Sequence, residues 1–538
     1  MELLLRGMAA LLASATITAQ QATPTWEELE RKGARLASVE YQVGDVFDPA
    51  RPHEDHWLGR VVNVLHIETR ERVIRREVPL RAGDAVNARI IHEIERALRS
   101  FRFLKDAVIE PRIDETRAVH AVVRTQDAWT LKASVSFSQV GDQRSLGFTL
   151  REANLLGFGK YLTLGHDKEP ERSTDTLLYV DRQFLGSDWT LTSRYQALSD
   201  GKTRMLDLTR PYRRLDTPWS LSFHLSASDS IETIYNRQRA VYAFGARRDD
   251  LRLGGSWAAS VTDSRAIRLG GGLELKRTRF GNPQVLEAGS LPTVIPPDRN
   301  LRGVHVAWSL AEDRFRPYRD MASMTHTEDF NLGWEAKVEF GGYLKALGSD
   351  VNAPFLRVSA SKGWAPVPAT LLLLDTQWEA RLEPGGWQDG RVNGTFKAYY
   401  QGFPMQTQAA LVQVDAVHRP DPQNNLYLGG LDGLRGYGNH LWLGDRRWMI
   451  SLEERITTQL NLLGILQLGF VVYADAAAIR RVDTGQWSRT YLDVGGGFRL
   501  GNLKSSFGGV FLVTVAFPLV KDPWTDRYQV VVGDLVRF

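Results

Sequence analysis

Three short segments in the last quarter of the sequence carry residues whose types allow specific chemistry. Arg435 lies in a glycine-rich run that ends Arg-Gly-Tyr, Glu453 lies in Ser-Leu-Glu-Glu-Arg, and Asp475 lies in Tyr-Ala-Asp-Ala-Ala. A guanidinium matches a carboxylate through two parallel, charge-assisted hydrogen bonds. The chemistry that this set of residues allows is therefore ion pairing.

The sequence offers little for catalysis. It contains no cysteine, which removes thiolate chemistry, disulfides and cysteine-ligated metals. No serine stands in a G-x-S-x-G motif, and no G-x-x-x-x-G-K-[ST] phosphate loop is present. We therefore predict no enzyme and no cofactor. The run His53-Glu54-Asp55-His56 is a weak metal candidate, because consecutive polar positions seldom converge on one ion. A solvated loop is the favoured interpretation.

From residue 131 onward the sequence alternates with a period of two. Leu131, Val135 and Phe137 share one face of a run whose other face carries lysine and serine, and the runs 466–475 and 511–517 repeat the pattern. Strands of about 10 residues with one apolar face are typical of a transmembrane antiparallel β-barrel, whose closure satisfies every backbone group in lipid. At roughly 25 residues per strand and connection, residues 129–538 predict about 16 strands. A soluble sandwich or propeller is the alternative.

The N-terminus predicts export. Residues 1–19 combine Arg6, an apolar run and small residues, as a signal peptide does, with a buried first helix as the alternative. We assign residues 20–60 to an N-terminal periplasmic segment. It contains a short helix over 24–36 that Thr25 can cap, and a strand-like run over Leu36–Val43.

Residues 61–128 predict a small α/β domain. Val61–Ile67 alternates like a strand, Thr69–Glu77 and residues 87–100 are helical, and two strands follow at Ala107–Ile113 and Ala118–Arg124. The second helix is amphipathic, because its isoleucines and leucine recur at helical spacing. The predicted element order is strand, helix, helix, strand, strand.

Taken together, these segments resemble the BamA/TamA outer-membrane assembly superfamily. Residues 152–160 are similar to the E-x-N-x-x-G-x-G turn early in its barrels, and 429–437 are similar to the tip of its sixth extracellular loop. Residues 451–455 and 473–477 are similar to the two strand motifs beside that loop. The order of elements in 61–128 resembles one POTRA domain.

The resemblance implies two sets of functional residues. In the first, the loop folds back into the lumen, and Arg435 pairs there with Glu453, Asp475 or both. The second is a lateral gate between the first and last strands. The members of the loop set are Arg435, Gly436, Tyr437, Glu453 and Asp475, and those of the gate are Leu131, Val135, Phe137, Gly533, Val536 and Phe538.

The function that the resemblance implies is the insertion or export of client polypeptides through that gate. The expected partners are outer-membrane lipid, unfolded outer-membrane or secreted proteins, and periplasmic accessory proteins. The expected location is the bacterial outer membrane, with the POTRA-like domain in the periplasm. A passive channel and a lipid-transporting barrel are the alternatives. A net charge of only +4 without a dominant basic cluster argues against nucleic acid.

Overall fold

The structure is a computed structural model that describes residues 24–47, 57–140, 143–287, 291–324, 327–430, 433–462, 465–504 and 510–533. The predicted signal peptide, the run His53-Glu54-Asp55-His56 and the gate residues Val536 and Phe538 lie outside these residues. Among the helices that the structure describes, none is long and apolar enough to cross a membrane.

The first unit is a three-stranded sheet packed against helices. Its strands stand in the order β1-β3-β2, with β1 parallel and β2 antiparallel to the central β3. In chain order the elements are α1 (Trp26–Arg31), β1 (Leu36–Gly44), α2 (Trp57–Leu65), α3 (Glu71–Glu77), α4 (Ala88–Arg99), β2 (Leu104–Ile113) and β3 (Val119–Asp127).

The strand predicted over Val61–Ile67 is wrong, because that stretch lies mostly in helix α2. Short apolar runs fit both periods, and valine-rich runs favour a strand on propensity alone. The first strand of the sheet is instead β1, which lies inside the segment 20–60 and pairs with β3. The sheet is therefore built from both of the segments that the sequence analysis separated.

Helix α4 contributes four buried residues, Ala88, Ile91, Ile94 and Leu98, to the apolar core under the sheet. Asn87 caps it by accepting a hydrogen bond from the backbone N–H of Ile90 at 2.9 Å. Ile91, Ile94 and Leu98 are almost completely buried against the strands. Each such side chain contributes about 1.5–3 kcal/mol to stability when it leaves water. The amphipathic helix predicted from the sequence is thus confirmed.

His92 of helix α4 ties helix α1 to the domain. Its Nδ1 lies 3.1 Å from Oε2 of Glu95 and its Nε2 lies 2.9 Å from Oε1 of Glu27. These hydrogen bonds, that of Glu95 foremost, raise the pKa of His92 from 6.5 to about 9. A raised pKa stabilises the fold below the unfolded value of 6.5, and this contribution disappears as the pH rises through 9.

We expect helix α1 to open more readily at pH 9 than at pH 6. The loss should be about 1 kcal/mol, because the His92 side chain is 45% exposed and solvent screens its ion pairs. Hydrogen exchange of residues 26–31, corrected for the intrinsic pH dependence, measures it. The control is His92→Gln, which should exchange equally at both pH values. An equal pH effect in that variant would assign the change to another group.

The second unit is a closed antiparallel β-barrel. The remaining strands in chain order are β4 (Leu131–Val140), β5 (Gln143–Glu152), β6 (Tyr161–Lys168), β7 (Ser173–Asp181), β8 (Thr190–Leu198), β9 (Gly201–Arg210), β10 (Trp219–Asn236), β11 (Arg239–Val261), β12 (Arg265–Phe280), β13 (Gln284–Val285), β14 (Arg299–Glu312), β15 (Phe315–Arg319), β16 (Thr327–Asn331), β17 (Trp334–Tyr343), β18 (Ala353–Trp364), β19 (Thr370–Glu383), β20 (Gly386–Tyr400), β21 (Gln406–His418), β22 (Leu426–Leu428), β23 (Trp442–Leu462), β24 (Leu466–Arg481), β25 (Tyr491–Asn502), β26 (Val510–Pro518) and β27 (Gln529–Gly533).

Twenty strands form the wall of the barrel, so the expected count of about 16 is wrong. Two further segments, β13 and β22, add short local pairings, and β15 and β16 form a separate hairpin. The estimate failed because several connections are only two residues long, as between β10 and β11. Shorter connections leave room for more strands in the same length of chain.

The wall presents apolar side chains to the outside. Leu225, Leu253, Leu273, Val306 and Phe340 are all more than a third exposed and belong to adjoining strands. Such an exterior, on a barrel whose backbone groups are paired around its circumference, is typical of a β-barrel surrounded by lipid. We call the end of the barrel where β4 begins the domain end and the opposite end the far end.

Candidate functional site

The connection between β21 and β23 folds into the barrel, and its tip is pinned there by Arg435. The guanidinium donates two hydrogen bonds of 2.7 Å to the carboxylate of Asp475, one of 2.5 Å to Glu453, and one of 3.0 Å to the hydroxyl of Ser451. It also lies 3.3 Å from the centre of the Tyr473 ring. The structure therefore brings together the three charged residues that the sequence singled out.

Strand register explains why these acceptors meet. Ser451 on β23 lies directly opposite Asp475 on β24, and Glu453 lies opposite Tyr473. Residues two apart on a strand share a face, so all four point into the lumen. Glu453 also accepts a hydrogen bond of 2.8 Å from Arg455, and one carboxylate thus serves two guanidinium groups. The buried charges are balanced by pairing, which burial requires.

The two residues after Arg435 fit the lumen just as closely. The backbone N–H of Gly436 donates to Asp493 at 3.0 Å, and a Cβ at this position would lie 2.6 Å from the Asp493 Cβ. The hydroxyl oxygen of Tyr437 lies 2.8 and 2.9 Å from the backbone carbonyl oxygens of Leu492 and Val520, to either of which it can donate its proton. Only glycine can approach the wall this closely at position 436.

Asp493 is a member of this site that the sequence analysis missed. It lies on β25 directly opposite Asp475 and is 1% exposed. An available signal was its position on the face of Tyr491, in a stretch of the strand, residues 491–498, whose other members are aromatic, aliphatic or glycine. No motif pointed to it, because its partner is a backbone group of a loop more than fifty residues away.

The loop is the eighth connection at the far end, rather than the sixth that the resemblance implied. The barrel has four strands more than expected, and all of the additional connections precede this loop. The local motif is unaffected, because Arg435 depends only on β23 and β24, which immediately follow the loop.

A hairpin inside the lumen is a second feature that the sequence analysis missed. The connection between β14 and β17 forms the hairpin β15–β16, whose residues Tyr318 and Met321 are buried in one cluster with Leu434 and Tyr437 of the loop tip. Arg455 donates to the backbone carbonyl of Met321 at 2.9 Å. We call this segment, residues 315–331, the inner hairpin. It enters from the domain end and meets the loop that enters from the far end.

Helix α4 of the small domain clamps the base of the inner hairpin. Arg96 donates to both carboxylate oxygens of Asp313 at 2.7 and 2.8 Å, and Arg99 donates to both of Asp329 at 3.1 Å. All four side chains are less than 20% exposed. Arg99 uses two nitrogens and forms a bidentate pair, which fixes orientation as well as distance, whereas Arg96 reaches both oxygens of Asp313 through one nitrogen. The position of the hairpin is therefore coupled to that of helix α4.

The described gate residues lie on the first strand, β4, and at the described end of the last strand, β27. Leu131 and Val135 of β4 are about half exposed on the outer face, and Phe137 lies opposite Val532 of β27. A Cβ on Gly533 would lie 3.3 Å from the Cβ of Ser136. Within the described residues, which end at Gly533, β27 is joined to β4 by the pairs Phe137–Val532, Ser138–Val531 and Gln139–Val530.

Comparisons with known proteins give distant structural likenesses. No protein-family model matches the sequence, and no curated protein matches it. Among solved structures, CdiB from Escherichia coli is 16% identical with a TM-score of 0.45, and the match covers 93% of this chain and 76% of that one. CdiB from Acinetobacter baumannii is 12% identical with a TM-score of 0.43, over 93% and 73%.

A third similar structure is BamA from Haemophilus ducreyi lacking POTRA domains 1–3. It is 13% identical with a TM-score of 0.38, and the match covers 93% of this chain and 84% of that one.

Proposed function

We propose that this protein is an outer-membrane assembly or translocation factor that inserts or exports client polypeptides through a lateral gate between β4 and β27. The observation that carries the proposal is that β4 and β27, the first and last strands of the wall, close the barrel by pairing with each other although no connection joins them. Each backbone hydrogen bond contributes only about 1 kcal/mol net in water, and such bonds together with side-chain contacts are all that must part at this seam. The open edges would then template a client strand.

The small domain supports the same proposal by its position and its edges. It stands at the domain end, where helix α4 contacts the barrel, and both β1 and β2 are edge strands of its sheet. An extended polypeptide can add to such an edge through backbone hydrogen bonds, which makes the binding tolerant of sequence. In this proposal the domain is periplasmic, receives the unfolded client, with or without accessory proteins, and delivers it to the seam.

Two segments occupy the lumen in this proposal, one entering from each end of the barrel. The anchored loop and the inner hairpin share one buried cluster. Arg455 donates to Met321 of the hairpin and to Glu453, the wall residue that also binds Arg435 of the loop. Client passage in this proposal uses the seam at first and requires the hairpin to move only when a chain crosses the lumen. A passive channel would need an open path and a tightly paired seam.

Photo-cross-linking in living cells tests the gate. A photoactivatable residue replaces Ser136 on β4, and the matched control replaces Ser359, a serine in the middle of β18 that is paired on both sides. We expect outer-membrane or secreted proteins to be trapped at position 136 and not at 359. Cross-links at 136 to the protein's own β27 alone would contradict the gate and favour the channel or a lipid-transporting barrel.

A disulfide across the seam makes the test sharper. The chain has no cysteine, so Phe137→Cys with Val532→Cys, which lie directly opposite, introduces the only possible bridge. Under oxidising conditions we expect the client cross-links at Ser136 to disappear and to return on reduction. Undiminished client cross-linking with the bridge closed would show that clients do not enter between these strands.

A further inference from the structure

The outer wall of the barrel carries a cluster of exposed cations at the far end. It spans the neighbouring strands β9 to β14, on which alternate side chains point away from the lumen. We call it the cationic patch, and its members are Lys202, Arg204, Arg247, Arg277, Arg279 and Arg302.

The strand register places the patch directly beside an apolar row. Four leucines on successive strands form this row, each directly opposite the next, and Arg302 continues it on β14. The leucines are Leu206, Leu225, Leu251 and Leu275. The next outward-facing row toward the far end contains Arg204, Ala227, Asp249 and Arg277. The apolar surface therefore changes to charged surface from one outward-facing row to the next.

The charge of the patch is only partly balanced by acids among the described residues. Asp229 lies directly opposite Lys202 and Arg247, and Asp249 lies directly opposite Arg277. Only two outward-facing acids, Asp229 and Asp249, stand among the six cations. Within the part of the chain that the structure describes, Lys202, Arg204, Arg247, Arg277 and Arg279 form no ion pair shorter than 4 Å.

Two of the cations even face each other across neighbouring strands. Arg247 on β11 lies directly opposite Arg279 on β12. Like charges at such positions destabilise a sheet, and an anion bound between them removes the cost. The arrangement is thus complementary to a ligand that carries more than one negative charge.

A cleft follows the boundary. Its volume is about 740 Å³, and Tyr195, Arg204, Leu225, Arg277 and Arg302 are among the residues that line it. The small side chain of Ala227 lies between the larger ones and deepens the centre. The lower wall is apolar, and the upper wall carries Arg204 and Arg277 together with one acid, Asp249, so that it keeps a net positive charge. These are the two environments of a phosphorylated lipid.

We propose that this cleft binds the phosphorylated head group of a membrane lipid, with its acyl chains lying over the leucine row. A soluble anion would gain nothing from that row, whereas a lipid satisfies both walls at once. Arginine suits the role because its guanidinium binds phosphate through paired hydrogen bonds. The proposal rests on the proposed membrane location of the barrel and is independent of the gate, which lies on other strands.

Native mass spectrometry of the purified full chain in detergent tests the site. The probe is synthetic bis-phosphorylated lipid A, titrated against the protein and against the triple variant Arg204→Gln, Arg277→Gln, Arg302→Gln. We expect the triple variant to bind the lipid about tenfold more weakly or worse, because each basic residue near an anionic head group contributes appreciably. The single variant Arg277→Gln should show a smaller loss in the same direction.

The matched control removes three cations from the same end of the barrel without touching the cleft. Arg144→Gln, Lys168→Gln and Arg446→Gln are exposed positions on β5, β6 and β23. We expect this control to bind the lipid as the unmodified protein does. If both triple variants lost the same affinity for lipid A, the loss would follow from net charge alone, and the proposed site would be contradicted.

Two further arms identify the source of the anion. In the first, lipid A without its phosphates should bind the unmodified protein and the triple variant with equal affinity. In the second, millimolar inorganic phosphate should not displace intact lipid A from the unmodified protein. Equal binding of the dephosphorylated lipid, or displacement by phosphate alone, would overturn the proposal. Failure here leaves the cross-linking test at Ser136 unaffected, so the two outcomes are separable.

Discussion

Replacing Arg435 by alanine should release the inward-folded loop and destabilise the barrel by about 3–5 kcal/mol. The reason is that the carboxylate of Asp475, 1% exposed, would lose both of its bonds from the guanidinium and remain as an uncompensated buried charge. Glu453 would keep Arg455 as its partner. Urea unfolding, followed by the heat-dependent migration of the barrel on gels, measures the loss of stability.

The position of the loop has its own measurement and control. Chymotrypsin cuts after Tyr437 and neighbouring residues only if the loop leaves the lumen, since Tyr437 is completely buried. The control is Arg357→Ala, which breaks a comparable network of ion pairs on β18, away from the loop. We expect cleavage in the Arg435 variant and not in the control, although both lose stability.

A double variant distinguishes the cost of the unpaired Asp475 charge from the loss of the loop's anchor. Adding Asp475→Asn to Arg435→Ala removes the orphaned charge and should recover part of the stability, while the loop stays accessible to protease. Arg435→Lys should retain little of the anchoring, because one ammonium cannot reproduce the bidentate bond together with those to Glu453 and Ser451. Full protection of the loop in Arg435→Ala would contradict the anchoring role.

Removing the inner hairpin should convert a closed barrel into a conducting one. The excision is structurally simple, because the backbone N–H of Leu332 already donates to the carbonyl of Arg314 at 2.9 Å, so a short Gly-Ser link can replace 315–331. Planar-bilayer recording of the purified protein measures the conductance. We expect stable open levels in the excised protein and rare, brief ones in the unmodified protein, since the hairpin fills part of the lumen next to the loop tip.

Breaking the contacts between helix α4 and the inner hairpin should open the barrel less often than removing the hairpin does. Arg96→Ala with Arg99→Ala removes the ion pairs to Asp313 and Asp329 and should produce frequent short openings. Exchanging the charges at one pair, as Arg96→Asp with Asp313→Arg, should restore part of the closure. Arg75→Ala, which breaks an exposed pair within the small domain, is the control and should stay closed.

The conductances of the excised protein and of the helix α4 variants both test whether the small domain controls the lumen. Openings in the clamp variants would show that helix α4 holds the hairpin, so that a client bound to the domain can act on the lumen through the same helix. A silent barrel after complete excision of the hairpin would contradict its role as a plug. The loop anchored by Arg435 would then be sufficient to close the lumen.

Local patterns in the sequence predicted the parts of this protein that depend on local physics. The period-two alternation after residue 131 predicts a closed antiparallel barrel, because a strand with one apolar face must bury that face or present it to lipid. The amphipathic period of residues 87–100 predicts helix α4. The spacing of Arg435, Glu453 and Asp475, read with the resemblance, predicted residues that the structure places in one ion-paired cluster.

Features that depend on distant parts of the chain were not predictable in this way. The number of strands follows from the lengths of all connections and from closure, and no single stretch encodes it. The run Val61–Ile67 satisfies both periods, and it is helical because β1 already occupies the place beside β3. The inner hairpin is too short and irregular in pattern to distinguish it from an exposed turn.

What the sequence determined by itself was the class of structure and the identity of the charged residues that anchor the loop. Only the tertiary structure decided that Asp493 holds Gly436, that helix α4 clamps the hairpin and that six cations share one outer surface. The physical reason is that alternation and residue type act over a few neighbours, whereas these contacts depend on the register in which twenty strands close.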